Sequence, residues 1–247
     1  MHEAFSRTAI QLGDEAIERL SKSRIAVFGI GGVGGYVVEA LARSGVGTLD
    51  LIDDDTVAVS NINRQIIATH DTVGQYKVDA AANRIAAINP NAVVNTHKTF
   101  FLPQSASEFD LTAYDYIVDA IDTVSAKIAL VQAAHANNIP IISCMGAGNK
   151  LDATAFQVAD ISKTTVCPLA RVMRKELGKR GIKHLKVVFS TEPPLEGIIP
   201  TEPATKSDTR PAQGRVKPTP GSNAFAPAVA GLIMAGEVIR DLTNHSR

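Results

Sequence analysis

Four glycines and a downstream carboxylate near the start of the chain have the spacing of a nucleotide site. The glycines are Gly29, Gly31, Gly32 and Gly34, and they directly follow a short apolar run. Glycine permits a tight turn, and its backbone amides can approach a phosphate that a helix N-terminus also attracts. Asp53 comes about 20 residues later, where a carboxylate commonly accepts hydrogen bonds from ribose hydroxyls. Because ATP and NAD both carry that ribose, these residues predict a nucleotide without choosing between the two.

Two cations further along, Arg64 and Lys77, favour a triphosphate. A guanidinium can bind phosphate oxygens through two parallel hydrogen bonds, and an ammonium acts as a mobile point charge. Together they suit cleavage between the α- and β-phosphates, whereas hydride transfer requires no such clamp. A lone Lys or Arg is usually a solvated surface residue. The interpretation therefore rests on the joint occurrence of the two cations with the glycines.

A third charged position, Asp122, is the candidate metal ligand. Residues 116–118, Tyr-Ile-Val, predict a strand that ends at the carboxyl edge of the sheet, where open α/β folds bind their ligands. Magnesium prefers oxygen ligands and usually takes one or two carboxylates, with water and phosphate completing its octahedron. An N-cap for the helix predicted over 124–137 is an alternative or additional role for Asp122, because Asp is favoured at caps.

Short apolar runs and a helical segment predict the scaffold that must hold these residues. Residues 23–28 and 48–52 are typical of buried parallel strands, and the segment between them is rich in Ala, Val and Leu. This order predicts an α/β fold with a doubly wound, Rossmann-like and mostly parallel sheet. We expect one domain over residues 1–247, with a nucleotide-binding core over 1–150 and a C-terminal extension facing the substrate over 151–247.

Composition and the N-terminus predict a cytoplasmic protein. Of the 247 residues, 45% are hydrophobic, which suffices for a core. The first four residues, Met-His-Glu-Ala, lack a basic and then apolar signal, and no run of about 18 apolar residues occurs. We expect no membrane partner.

The chain contains two cysteines, Cys144 and Cys167, so it cannot form a zinc site from two Cys-x-x-Cys pairs. Cys144 lies in an apolar strand, where a cysteine is usually buried as a small hydrophobic residue. Cys167 precedes Pro168 and a predicted helix, and a thiol near a helix N-terminus can be reactive. The sequence therefore indicates no thioester-forming nucleophile.

Residues 168–182 combine an apolar stripe at helical spacing with a basic face. The stripe consists of Leu169, Val172, Met173 and Leu177. The cations left for solvent or a polyanion are Arg171, Arg174, Lys175, Lys179 and Arg180. From Arg171 to Lys186 there are seven Lys or Arg against one acid, in a chain whose net charge is zero. A solvated helix face is one interpretation, and contact with nucleic-acid phosphates, which fix position but not sequence, is the other.

A proline-rich stretch follows the basic segment. Seven of the twelve prolines lie between Thr191 and Ser222, which predicts a mobile loop over about 191–222. Long loops in compact domains usually cover a site or bind a partner. An apolar helix is predicted after this loop, ending near Leu242.

The glycines and the charged residues resemble the ubiquitin-activating-type adenylating enzymes, the superfamily that includes the ThiF-like and MoeB-like activators of sulfur carriers. The resemblance implies that Asp53 holds the ribose of ATP and that Asp122 holds magnesium. It implies phosphate binding by Asn61, Arg64 and Lys77. Further ATP-binding residues that it implies are Gly29, Gly31, Gly32, Gly34, Asp55 and Gln65.

The same resemblance implies a homodimer. Arg7, within residues 5–12, Phe-Ser-Arg-Thr-Ala-Ile-Gln-Leu, matches the arginine that such dimers lend to the active site of the partner. The catalytic residues implied in this way are Arg7, Arg64, Lys77 and Asp122. An arginine near a chain end is otherwise usually solvated.

The C-terminal third is similar to one branch of the superfamily, the tRNA threonylcarbamoyladenosine dehydratases. The similar segments are residues 160–164, 168–182, 189–192 and 222–225. The resemblance implies ATP-dependent activation of the threonylcarbamoyl carboxylate on a tRNA adenosine, followed by ring closure with net loss of water. It also implies a cysteine desulfurase or sulfur acceptor system as a partner. Some members carry a cysteine just before the last helix, whereas residues 219–223 here are Thr-Pro-Gly-Ser-Asn.

Three alternatives stay open at this point. The first is an adenylating enzyme for the C-terminal glycine of a ubiquitin-like sulfur carrier. Such enzymes commonly hold a structural zinc with two Cys-x-x-Cys pairs, and the absence of these pairs from this chain counts against the alternative. The second is a nucleotide-binding scaffold that docks onto a desulfurase without turnover. The third, an NAD dehydrogenase, lacks a recognisable acid or base for hydride transfer. No spacing links the internal histidines to the phosphate site; these are His70, His97, His135 and His184.

Overall fold

The computed structural model describes residues 3–104, 109–195 and 220–245. The strands are β1 Arg24–Phe28, β2 Thr48–Ile52, β3 Val93–His97, β4 Tyr116–Asp119, β5 Ile141–Cys144, β6 Phe156–Asp160 and β7 Lys186–Ser190. The helices are α1 Ser6–Leu12, α2 Asp14–Lys22, α3 Gly34–Arg43, α4 Lys77–Ile88, α5 Val124–Ala136, α6 Pro168–Gly178 and α7 Ala226–Thr243. No helix in these ranges has the length and apolar character needed to cross a membrane.

The strands form one seven-stranded sheet in the order β3-β2-β1-β4-β5-β7-β6. All neighbours are parallel except β6, which runs antiparallel to β7 at the edge. The chain moves outward from β1 through β2 to β3 and then returns to the other side of β1 with β4. The carboxyl ends of β1 and β4 therefore flank the point where the strand order reverses, which is the usual ligand position in this class. The predicted doubly wound, mostly parallel sheet is confirmed.

Both faces of the sheet are covered, as the continuous apolar strands require. Alternate residues of β1 point to opposite faces. Ile25 and Val27 pack in a core with residues of α3 and α7, while Ala26 and Phe28 pack in a second core with residues of α5. This burial on both sides holds the carboxyl end of β1, where the glycines begin, in a fixed position.

The C-terminal third completes the same sheet. It contributes the neighbouring strands β6 and β7, and α7 packs closely on α3. A Cβ added at Gly231 of α7 would lie 2.4 Å from the carbonyl oxygen of Val33, so the two helices need a glycine at their contact. Of the loop predicted over about 191–222, residues 191–195 and 220–222 contain no helix or strand, and residues 196–219 lie outside the described ranges.

Candidate nucleotide-binding site

The glycine loop joins β1 to α3, and its glycines have separate structural roles. Gly29 has φ +89°, and a Cβ there would lie 2.7 Å from the carbonyl oxygen of Ala120. A Cβ at Gly34 would lie 1.8 Å from the carbonyl oxygen of Gly29. At Gly31, by contrast, the nearest atom is Gln65 Nε2 at 3.9 Å. The first and last glycines thus form the turn, while the middle one leaves open the space where a phosphate approaches the backbone.

Asp53 binds this loop directly. It follows β2, which pairs with β1, and its Oδ2 accepts a hydrogen bond from the Ile30 amide at 2.7 Å. Its Oδ1 accepts from the Asp55 amide at 2.9 Å. Burial raises the pKa of Asp53 above its ordinary value, although Lys77 and the two backbone donors oppose that shift. The structure therefore brings Asp53, the carboxylate predicted to bind the ribose, to the edge of the glycine loop.

Lys77 is the first residue of α4 and is buried, with 6% of its surface exposed. Its Nζ lies 2.8 Å from Asp55 Oδ2 and 3.9 Å from Asp53 Oδ1. A buried ammonium needs such neutralisation, since isolated charges are costly away from water. A triphosphate at the glycine loop could take over part of this neutralisation.

Arg64 and Asn61 lie on the turn that follows residues 53–57. Arg64 Nη1 donates to the Ser60 carbonyl at 2.8 Å, and its Cγ lies 3.7 Å from a Cβ added at Gly32. Asn61 is buried, and its Oδ1 accepts from the Ala58 amide at 3.0 Å. The structure thus brings Arg64 to the glycine loop, while Asn61 shapes the turn that carries it.

Gln65 supplies an orphaned polar atom beside the same loop. The residue is 6% exposed, and its Oε1 is a buried side-chain oxygen with no hydrogen-bond partner among the described residues. Such an atom is costly, and native structures usually satisfy it. A nucleotide would supply a donor to this oxygen or, with the amide flipped, an acceptor for its nitrogen. This residue and the open space at Gly31 fit ATP.

Asp122 lies in the loop after β4, next to the glycine turn. The backbone nitrogen of Ile121 would be 3.2 Å from a Cβ at Gly29. Asp122 is exposed, and its Oδ1 accepts from Thr123 Oγ1 at 3.2 Å. The N-cap of α5 is Thr123, without a side-chain cap hydrogen bond, so the alternative role of Asp122 as the cap of this helix is wrong. An exposed carboxylate beside the phosphate position fits a magnesium ligand.

A second group of carboxylates lies on the other side of the loop. Asp53, Asp54 and Asp55 each offer one oxygen within 4.8 Å of the others. Two of these oxygens already face the ammonium of Lys77. Because an ammonium there disfavours a further cation, Asp122 is the better magnesium candidate.

Arg7 lies elsewhere in the described chain. It is exposed on α1, and Phe5, two residues earlier, packs against Gly45 just before β2. That contact is at the amino ends of the strands, whereas the glycine loop is at their carboxyl ends. The structure therefore does not bring Arg7 to the nucleotide site of its own chain.

Both cysteines are buried and free of disulfides. Cys144 ends β5, and burial raises its pKa to about 12, so its thiol is protonated at neutral pH. The prediction that Cys144 is a buried strand residue is confirmed. The Sγ of Cys167 would be 3.8 Å from a Cβ at Gly146.

Fewer side chains of the basic segment are left for solvent than the sequence predicted. Arg174 Nη1 donates to Ile161 O at 3.2 Å, Thr164 O at 2.9 Å and Thr164 Oγ1 at 2.7 Å. The expectation that Arg174 faces solvent is therefore wrong, because it ties α6 to the preceding turn. Val172, predicted in the apolar stripe, is 44% exposed.

Lys186, at the end of the basic stretch, pairs with Asp241 at 2.7 Å, and the other cations in and beside the segment form two sets. Lys179 and Arg180 pair with Glu176 at 2.6 and 3.0 Å. Four exposed cations have side chains that make no hydrogen bond or ion pair within the described ranges: Lys163, Arg171, Lys175 and Lys183.

Two features of the site were missed from the sequence. Asn63 Nδ2 donates to the Ser222 carbonyl at 3.0 Å, which links the Arg64 turn to the chain just before α7. Lys127 is fully buried beside the Asp122 loop. A lysine within the otherwise apolar pattern of α5 was the signal for the second feature, whereas no local pattern indicated the first.

A doubly wound sheet, an open glycine loop and a buried lysine next to Asp53 are typical of a nucleotide-binding α/β protein. The chain belongs to the ThiF family, whose model matches residues 5–247.

Comparison with characterised proteins narrows the class. The chain is 45% identical over 250 residues to the tRNA threonylcarbamoyladenosine dehydratase of Bacillus subtilis (strain 168), covering 98% of this chain and 95% of the relative. The crystal structure of the E. coli tRNA N6-threonylcarbamoyladenosine dehydratase TcdA in complex with ATP matches with a TM-score of 0.85 at 33% identity, covering 98% of this chain and 95% of that one. Its complex with AMP matches with the same TM-score, identity and coverage.

Proposed function

We propose that this chain is an ATP-dependent dehydratase that adenylates the carboxylate of threonylcarbamoyladenosine in tRNA and closes it into a ring. The observation that carries the proposal is the buried Lys77 next to Asp53, which binds the open glycine loop, in a chain similar along nearly its whole length to a protein of that name. The likeness to structures that hold ATP and AMP supports adenylation.

The reaction has two steps, adenylation of the carboxylate and ring closure. A carboxylate oxygen of the substrate forms a bond to the α-phosphorus of ATP, and pyrophosphate leaves. A nucleophile of the same threonylcarbamoyl side chain then attacks the acyl carbon and gives up its proton to solvent, and AMP leaves with the former carboxylate oxygen. The net change is the loss of one water from the substrate. Because the nucleophile belongs to the same side chain, its effective concentration is high and no enzyme thiol is needed.

The residues of the chain hold the nucleotide for the first step. Asp53 accepts hydrogen bonds from the ribose hydroxyls, and the loop around Gly31 approaches the phosphates. Arg64 and Lys77 neutralise the charge that grows on the leaving pyrophosphate. Asp122 would hold Mg²⁺, which neutralises phosphate charge when it is bound.

The tRNA surface in this proposal consists of the four unpartnered cations: Lys163, Arg171, Lys175 and Lys183. Side chains of this kind can bind phosphates without first breaking an intramolecular ion pair. Such contacts fix the position of the tRNA, and the modified adenosine supplies the specificity.

A homodimer is part of the proposal. Arg7 lies at the opposite end of the sheet from its own glycine loop, which supports a role at the site of a second copy. Ile10, one turn further along α1, is 86% exposed, which suits an interface. The proposal also includes the cytoplasm as location, predicted from composition, and a cysteine desulfurase or sulfur acceptor system as partner, implied by the resemblance alone.

The testing experiment incubates the purified protein with threonylcarbamoyl-modified tRNA, ATP and Mg²⁺. Mass spectrometry of the tRNA nucleosides should find loss of one water, with formation of an equal amount of AMP. Lys77→Ala is the inactive control. If neither product forms while a ubiquitin-like carrier with a Gly-Gly end drives pyrophosphate release, the nucleotide site stands and the tRNA substrate is wrong.

A further inference from the structure

A buried ion pair lies directly behind the loop that carries Asp122. Lys127 of α5 and Asp119 at the end of β4 are both 0% exposed, and Nζ of the lysine lies 3.0 Å from Oδ2 of the aspartate. Removing two charges from water is costly, and apolar residues of similar volume often serve stability as well or better. This pair therefore calls for an explanation beyond stability.

The pair binds both the backbone carbonyl and the backbone amide of Ile121. Lys127 Nζ donates to the Ile121 carbonyl at 3.1 Å, and Asp119 Oδ1 accepts from the Ile121 amide at 3.2 Å. Ser143 Oγ of β5 donates to Asp119 Oδ2 at 2.5 Å, which orients the carboxylate. Asp122 is the next residue in the chain, so its backbone direction depends on these bonds.

The opposite side of the loop rests on the glycine turn. A Cβ at Gly29 would lie 2.7 Å from the carbonyl oxygen of Ala120, and the Ala120 amide donates to Phe28 O at 2.9 Å. The loop is therefore held from α5 by a charged pair and from β1 by the backbone. Between these two supports, Asp122 is exposed at the edge where the glycines are.

We propose that Lys127 is a positioning residue that, paired with Asp119, holds the Ile121 carbonyl so that the Asp122 carboxylate meets the divalent cation on the phosphates of ATP. This inference rests on the proposed function. If the pair merely filled the core, neutral residues of similar shape could replace both Lys127 and Asp119 without any effect on Mg²⁺ binding. Partners behind a metal ligand commonly change metal affinity by about 10- to 100-fold when they are removed.

The test replaces the pair by neutral residues of similar shape. Lys127→Met alone leaves the Asp119 charge buried without its partner and can unfold the protein, so the main variant combines Lys127→Met with Asp119→Asn. Calorimetry measures ATP binding with and without Mg²⁺, and thermal unfolding checks the fold. In the double variant we expect ATP binding without Mg²⁺ within about twofold of the unmodified protein, and a Mg²⁺ requirement raised about tenfold.

Three controls make the outcome specific. Lys186→Met removes a lysine that pairs with Asp241 at 2.7 Å at the start of β7, and should leave the Mg²⁺ requirement unchanged. Lys127→Arg keeps the charge and should keep the Mg²⁺ requirement close to that of the unmodified protein. Asp122→Ala should raise the Mg²⁺ requirement, and adding the pair replacement to it should cause no further rise.

An unchanged Mg²⁺ requirement in a folded double variant would overturn the inference, as would an additive effect on top of Asp122→Ala. Failure of the proposed function would have a different signature. The unmodified protein would then bind ATP in a Mg²⁺-dependent way but leave the modified tRNA unchanged.

Discussion

Lys77 Nζ donates to Asp55 Oδ2 at 2.8 Å, so the cation that we propose for the phosphates of ATP is already engaged within the protein itself. The side chain of Lys77 is 8% exposed, whereas that of Asp55 is 52% exposed. Asp55 can therefore turn toward water more easily than Lys77 can. ATP binding should exchange this carboxylate for a phosphate oxygen while the ammonium stays in place.

The resemblance implies that Asp55 binds ATP, but its ion pair with Lys77 predicts the opposite effect. Asp55→Asn is expected to tighten ATP binding by several fold, because the phosphates no longer compete with a charged partner for Lys77. The nucleotide-free protein should lose about 1 kcal/mol of stability or less, since the pair is partly exposed to solvent. Calorimetry with ATP and thermal unfolding measure the two effects. Weaker ATP binding would show that Asp55 contacts the nucleotide rather than opposing it.

Gly31→Ala should leave the fold intact and weaken ATP binding by about tenfold or more, because its Cβ would occupy the space for the phosphates. In the described protein this Cβ meets nothing closer than 3.9 Å. Gly34→Ala is the matched contrast, since its Cβ would lie 1.8 Å from the Gly29 carbonyl oxygen and the variant should fail to fold. Equal ATP affinity of Gly31→Ala and the unmodified protein would move the phosphates away from this loop.

Much of the fold could be predicted because local signals agreed with one another. The strand predicted over 23–28 is observed as Arg24–Phe28, and 48–52 is observed as Thr48–Ile52. Continuous apolar runs between glycine turns are typical of strands buried on both faces, and here burial on both faces is what the sheet requires. Asp53 could be placed because its distance from the glycines is set by the length of one strand, helix and strand unit.

The parts that could not be predicted depend on where a long side chain turns. Arg174 has the helical position of a solvent residue, but its guanidinium reaches three oxygens of the preceding turn. Periodicity fixes the direction of a Cβ and leaves the end of an arginine undetermined. The contact between Asn63 and Ser222 joins residues 159 positions apart, and no local pattern encodes such a pair.

Replacing the four unpartnered cations by alanine should weaken tRNA binding and make it less dependent on salt. These residues are Lys163, Arg171, Lys175 and Lys183. Each lost phosphate contact should lower the slope of log affinity against log salt by roughly one unit. Filter binding across a salt series measures the slope, and ATP affinity should not change.

Two control variants separate binding from structure. Lys179→Ala with Arg180→Ala removes cations paired to Glu176, so tRNA binding should fall much less. Arg174→Ala should instead lower stability by about 1 to 3 kcal/mol, because two backbone carbonyls lose their charged donor. If the paired cations matter as much as the unpartnered ones, the tRNA surface has been assigned wrongly.

Protonation of Asp50 at acidic pH should lower the free energy of unfolding. Burial raises the pKa of this carboxyl, but hydrogen bonds from Arg24, His97 and Asn95 outweigh burial and leave the pKa below its ordinary value. A lowered folded-state pKa stabilises the protein above the unfolded-state value near 3.9, and this contribution is lost as pH falls through the folded-state value.

Asp50→Ala should therefore cost about 3 kcal/mol at pH 7, because it leaves Arg24 without its buried partner. The difference between the variant and the unmodified protein should shrink below about pH 4. Urea unfolding at a series of pH values measures it. A difference that stays constant down to pH 2 would mean that the network acts through packing alone.

Mixing two inactive variants should restore activity if Arg7 acts at the site of a second copy. In a mixed dimer of Arg7→Ala and Lys77→Ala, the site that keeps Lys77 receives an intact Arg7 from the other subunit. Random pairing then recovers about a quarter of the normal activity, because half of the dimers are mixed and each has one complete site. Lys22→Ala, which changes an exposed residue at the end of α2, is the control and should stay fully active alone. A mixture as inactive as its components, at concentrations where light scattering detects dimers, would show that Arg7 does not complete a neighbouring site.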